Sequence, residues 1–120
     1  MIQQIDPSRF EAWRRSAQAN TPDALPVMLD VREPWELQTA SVRPNGFSVI
    51  AIPMREVPAR VAELRSAHGD AHPIACLCHH GMRSLQVANF LAQSGFTEVV
   101  NVDGGIDAWA KQVDSNVPQY

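Results

Sequence analysis

The residues able to do chemistry in this chain are gathered in one stretch, Ile74-Ala75-Cys76-Leu77-Cys78-His79-His80-Gly81-Met82-Arg83-Ser84. A short apolar run from Ile74 to Leu77 reads as a strand, and a helical pattern, Leu85-Gln86-Val87-Ala88-Asn89-Phe90-Leu91-Ala92, follows the polar segment. Cys78 therefore opens a tight loop between strand and helix. A loop wrapped around its sulfur points backbone N–H groups at that atom, and the positive end of the next helix faces it. A thiol attacks as its thiolate, and both the helix end and Arg83 favour the anion. Gly81 fits a turn that needs a positive φ or a close backbone approach. The expected site has Cys78 as nucleophile, with His79, His80, Gly81, Met82, Arg83 and Ser84 around the bound group.

Each residue also has a plainer reading. Cys76 lies inside the apolar run and is expected to pack in the core, a resolving or redox role being the alternative. A metal site from Cys76, Cys78, His79 and His80 is disfavoured, because adjacent residues project in different directions and structural zinc needs four converging ligands. No metal and no cofactor are expected. His79 and His80 line the mouth or are solvated. Arg83 is either an anion ligand or a brace for the loop. Asp30 and Arg32 are expected to form an ion pair that fixes a strand end. Trp35, Phe47 and Trp109 read as core, and Gly104-Gly105 as a tight turn near the site.

The elements that would hold this loop alternate. Ile2 to Ile5 reads as a short edge strand, and Asp6-Pro7 as an N-cap with proline opening a helix whose one face carries Phe10, Trp13 and Ala17. Val27 to Val31 is an apolar run suited to a strand buried on both faces. Pro34 to Leu37 opens a short helix that fades into an irregular segment, and Ser48 to Ile52 is a second buried strand. Val57, Val61 and Leu64 repeat at helical spacing with Pro58 in the first turn. After the central strand the helix stops near Gly95. Val99 to Val102 is another strand, Ile106 to Ala110 a last helix, and Gln112 to Tyr120 a tail. Strands that are continuous apolar runs alternating with helices predict a mostly parallel sheet covered on both faces, with ligands at the carboxyl ends of the strands. Cys78, Arg32 and Gly104 all follow strand ends and so share that edge.

With 120 residues, 45% hydrophobic and 19% charged, the chain reads as one globular domain over 1–120. Net charge is -3, and nine arginines and Lys111 are spread along it, so neither nucleic acid nor a membrane surface is an expected partner. Two cysteines one residue apart make no disulfide framework, and Met1-Ile2-Gln3-Gln4-Ile5 lacks the pattern of a signal peptide, so the cytoplasm is the expected compartment.

Three segments resemble the single-domain rhodanese family of sulfurtransferases. They are Leu29-Asp30-Val31-Arg32-Glu33-Pro34-Trp35-Glu36, Cys78-His79-His80-Gly81-Met82-Arg83-Ser84, and Val102-Asp103-Gly104-Gly105-Ile106-Asp107-Ala108-Trp109. The resemblance implies a three-layer α/β/α domain on a sheet of about five strands. It also implies that Cys78 takes a sulfane sulfur from a small donor such as thiosulfate and passes it to cyanide or a thiol. A sulfur-relay protein is a further partner it allows. Asp30, Arg32 and Gly104 would support the site. Two departures stand out: Thr39-Ala40-Ser41-Val42 replaces the family's Gly-His-Ile, and His79 follows the cysteine where many thiosulfate users carry a basic residue. A persulfide carrier or regulatory module is one competing reading. A cysteine-dependent phosphatase or arsenate reductase is another, although those enzymes use Cys-x5-Arg and only four residues separate Cys78 from Arg83.

Overall fold

The computed structural model describes residues 2–120. Five strands, β1 (Gln3–Ile5), β2 (Val27–Asp30), β3 (Ser48–Ala51), β4 (Ile74–Leu77) and β5 (Val99–Val102), form one sheet in the order β1-β5-β4-β2-β3. Every pairing is parallel. The helices are α1 (Phe10–Asn20), α2 (Pro34–Thr39), α3 (Val57–His68), α4 (Met82–Gln93) and α5 (Gly105–Gln112).

The three central strands, β2, β4 and β5, are buried at every position, as strands covered on both faces must be. Alternation along them separates two cores. Met28, Ala75, Leu77, Val100 and Val102 pack with Phe10, Phe47, Ile106 and Trp109 on the α1 and α5 side. Val27, Leu29, Cys76, Cys78 and Val99 pack with Val57, Leu64, Val87 and Leu91 on the α3 and α4 side. Three layers result, with β2 and β4 adjacent at the middle. From β2 the chain moves to β3 on one side, and from β4 to β5 on the other. The crevice at their carboxyl ends is therefore the switch point where open parallel sheets bind ligands.

Four expectations change. β3 is an edge strand and only half-buried, because it has a hydrogen-bonding neighbour on one side alone. Asp6 does cap a turn, but Pro7–Arg9 is a 3-10 turn and α1 begins at Phe10. The helix after Cys78 starts at Met82 rather than Leu85, so Met82, Arg83 and Ser84 form its first turn and the loop ends at Gly81. Trp35 is 62% exposed, on the outer face of the six-residue α2, while Phe47 and Trp109 are in the core. The helical repeat around Pro58 and the stop at Gly95, φ +106°, are as expected.

The tail is not loose. Val117 is buried in the α1 and α5 core, and Asp114 pairs with Arg43. That anchorage brings Tyr120 back to the carboxyl edge of the sheet, where its hydroxyl meets Arg32 and Glu36.

Candidate active site

Cys78 is the first residue beyond β4, and by alternation its side chain lies on the same face as Cys76. It is 1% exposed. The Gly81 N–H donates to Cys78 Sγ at 3.0 Å, and the Ser84 hydroxyl lies 3.3 Å from the sulfur. That hydroxyl is also 3.3 Å from the Gly81 carbonyl, so its one proton serves either acceptor in turn. The expected ring of amides is corrected: among the described residues one amide, that of Gly81, donates to the sulfur, joined by the Ser84 hydroxyl. Both come from the start of α4, whose N-terminal dipole favours negative charge.

The loop keeps this shape because α5 holds its other side. The amides of Ile106 and Asp107 donate to the carbonyls of Cys78 at 2.8 Å and His79 at 3.1 Å, which satisfies two otherwise unpaired donors at the start of α5. In a trans peptide the N–H points opposite the C=O, so these bonds turn the loop's amides away from α5. Gly105 permits the approach: its φ is +61°, and a Cβ there would overlap both loop carbonyl oxygens. Gly81, at φ +102°, is pressed against Gly104, whose nitrogen would lie 3.0 Å from an added Cβ. The Gly81 carbonyl accepts from Asn101 Nδ2 at 3.1 Å, and Asn101, fully buried in β5, also reaches Gln4.

On the β2 side, Arg32 is fully buried and all five of its N–H donors are used. Nε and Nη2 bind Asp30 at 2.9 and 2.7 Å, Nη2 also reaches the Ala40 carbonyl at 2.8 Å, and Nη1 meets the Glu36 carbonyl at 3.2 Å and the Tyr120 hydroxyl at 2.9 Å. Complete pairing is what makes a buried cation tolerable. Ala40, in the segment that departs from the expected motif, thus closes the cage with its backbone.

Arg83 reaches across to α2. Nη1 and Nη2 each donate to the Glu36 carboxylate at 2.8 Å in a bidentate pair. Glu36 also accepts from the Glu33 N–H at 2.8 Å, in a capping box that starts α2, and from the Tyr120 hydroxyl at 3.0 Å. The Arg83 guanidinium holds the Glu36 carboxyl down at about 2 against its burial, and Arg83 itself is shifted upward by the same bonds. Desolvation pushes the Cys76 thiol far up, as full burial without a partner charge must.

His79 stacks on Tyr120, with centroids 3.8 Å apart and planes 8° apart, and on His80 at 3.9 Å. Among the described residues one group could hold a metal ion: His79, His80 and Asp107 offer atoms within 4.8 Å of one another. Asp107 already accepts from Lys111 at 3.0 Å. Met82 is exposed at the rim. The structure therefore gathers Asp30, Arg32, Gly104 and the whole Cys78 to Ser84 segment at one edge.

Sequence reasoning missed Glu36, Asn101 and Tyr120. Asn101 carried a signal, a polar residue inside an apolar strand run, and Glu36 another, a carboxylate at the third position of a proline-led helix. Tyr120 carried none.

The chain matches the rhodanese-like domain family over residues 11–112. The thiosulfate sulfurtransferase GlpE of Vibrio cholerae is 31% identical over 114 residues, spanning 95% of this chain and 91% of that protein. The chloroplastic rhodanese-like/PpiC domain-containing protein 12 of Arabidopsis thaliana is 39% identical over 93 residues, spanning 78% of this chain and 30% of that protein. The chain covers less than a third of the length of the plant relatives it matches. The crystal structure of a rhodanese-like domain protein from Staphylococcus aureus superposes with a TM-score of 0.68 over 99% of both chains at 23% identity, a likeness of fold. No helix among the described residues is long and apolar enough to cross a membrane.

Proposed function

The chain belongs to the rhodanese-like family, and on that premise we propose that its 120 residues form one sulfurtransferase domain in which Cys78 carries the sulfur as a persulfide. In the first half-reaction the Cys78 thiolate attacks the outer sulfur of a sulfane donor such as thiosulfate. A new S–S bond forms, the donor's S–S bond breaks, and sulfite leaves with the electron pair. In the second, cyanide or a thiolate attacks the terminal sulfur, releasing thiocyanate or a new persulfide and restoring the Cys78 thiolate. The balance closes without an outside oxidant or reductant, and the covalent intermediate predicts ping-pong kinetics.

The observation that carries this reading is the pair of donors on the sulfur, Gly81 N–H at 3.0 Å and the Ser84 hydroxyl at 3.3 Å, at the N-terminus of α4. Donors fixed in advance stabilise a thiolate where it forms and where it leaves again. His79, His80 and Met82 line the approach. Both cysteines are free thiols, in keeping with a reducing compartment such as the cytoplasm.

A second reading differs only in the donor. Arg83 is committed to Glu36 and Arg32 to Asp30, so neither guanidinium is spare for a dianion. That favours a persulfidated partner protein over thiosulfate as the physiological source. Loading that is slow from thiosulfate and fast from such a partner identifies the relay. The phosphatase reading needs an arginine free to clamp an oxyanion, and activity on p-nitrophenyl phosphate without sulfur uptake would restore it.

The test is intact mass after thiosulfate, with and without cyanide, on wild type and Cys78→Ser. Wild type gains one sulfur that cyanide strips off, and the variant gains none. An adduct on Cys78→Ser would move the chemistry to Cys76.

A further inference from the structure

The reaction proposed above employs the loop and the start of α4 and leaves Tyr120 unused, although Tyr120 contacts His79, Arg32 and Glu36. Its ring lies flat on His79, and the Trp35 ring meets it edge-on at 6.1 Å. Its hydroxyl accepts from Arg32 at 2.9 Å and donates to Glu36 at 3.0 Å, which fixes the ring's place from two sides. His79, by contrast, has no such tether: its Nε2 is buried with no hydrogen-bond partner. The direction of that imidazole is therefore set by stacking, on Tyr120 at one face and on the exposed His80 at the other. His79 directly follows the nucleophile, and the Glu36 that Tyr120 binds also holds Arg83 in the first turn of α4. Both ends of the Cys78 to Gly81 loop are thus referenced to one tyrosine.

We propose that Tyr120 is a positioning residue for sulfur transfer: its ring holds His79, and through it the Cys78 loop, in the shape that keeps the sulfur under the Gly81 amide and closed to larger reagents. The kinetic part of this rests on the sulfurtransferase reading; the structural part does not. A residue that merely anchored the chain end would lose stability on substitution without changing Cys78 selectively.

The experiment compares Tyr120→Phe, Tyr120→Leu, Tyr120→Ala, His79→Ala and the His79→Ala/Tyr120→Ala pair in three measurements. The first is kcat/KM for thiosulfate with cyanide. The second is the rate of iodoacetamide alkylation at Cys78, with buried Cys76 as the internal monitor of global opening. The third is the NMR shift of the His79 ring protons, which a flat-stacked ring displaces upfield. Tyr120→Phe keeps the ring but loses both hydroxyl bonds, so its loss in kcat/KM is smaller than that of Tyr120→Leu. Tyr120→Ala and Tyr120→Leu lower kcat/KM by about 10- to 100-fold, the effect of a nucleophile held about an ångström out of place. They also speed alkylation of Cys78 while Cys76 stays protected, and the upfield shift disappears. The paired variant is no slower than His79→Ala, as required when one residue acts through the other. Additive losses in the pair overturn the proposal, as do wild-type Cys78 alkylation and turnover in Tyr120→Leu, or equal exposure of both cysteines. If the wild type takes no sulfur from thiosulfate, the functional reading fails on that donor, and the alkylation and NMR results still decide the positioning role.

Discussion

Replacing Glu36 by glutamine removes a charge from the one carboxylate that joins α2, α4 and the tail, while keeping its shape. In the native protein that carboxylate takes two bonds from Arg83, one from the Glu33 amide and one from the Tyr120 hydroxyl. Its carboxyl is held at about 2 instead of 4.5, chiefly by the Arg83 bonds. By linkage such a depression contributes roughly 3 kcal/mol at neutral pH. The Arg83 side chain is 36% exposed and partly screened, so roughly 2–3 kcal/mol is the expected loss in Glu36→Gln. For a chain of this size that lowers Tm by roughly 6–18 °C. The sign follows from the depressed value: the stabilisation is complete above about 4.5, where unfolded Glu36 is already ionised, and is lost as pH falls from there towards about 2. Urea unfolding of both proteins checks this, because groups common to the two cancel in the difference. The gap should be full at neutral pH and about halved near pH 3. A gap that does not change with pH, or one under about 0.5 kcal/mol at neutral pH, refutes the view that Glu36 and Arg83 form a stabilising brace.

Two other substitutions separate backbone strain from chemistry. Gly105→Ala forces a side chain onto the Cys78 and His79 carbonyls at a left-handed φ, so it should cost about 1–3 kcal/mol and cut sulfur uptake at least about tenfold by intact mass. Gly69→Ala, also left-handed but with open space around it, should show the strain in thermal melts and leave sulfur uptake whole. Cys76→Ala should cost roughly 1 kcal/mol for the small cavity and keep the cyanide-labile adduct, because that thiol is fully buried and remains protonated.

The sequence determined on its own whatever depends on local pattern. Apolar runs marked the central strands because a strand covered on both faces admits few polar residues, and the cysteine breaking off one of them located the candidate nucleophile. Positive-φ glycines at 81 and 95 were legible for a similar reason, since a turn's demand on φ acts on the residue that makes it. Edge or centre was not legible for Ser48–Ala51, because that depends on which strands pair. Trp35 misled, because an aromatic on a short helix is core or rim according to the helix's rotation against the sheet. Tertiary structure alone decided the partner of Arg83, by setting Glu36 against it across 47 residues of chain, and the place of Tyr120, 84 residues from that same carboxylate. Such pairings are fixed by the folded geometry, in which the tail docks through Val117 and the parallel pairing of β2 with β4 sets their carboxyl ends side by side. No local pattern encodes a distance between groups that meet only once the sheet is built.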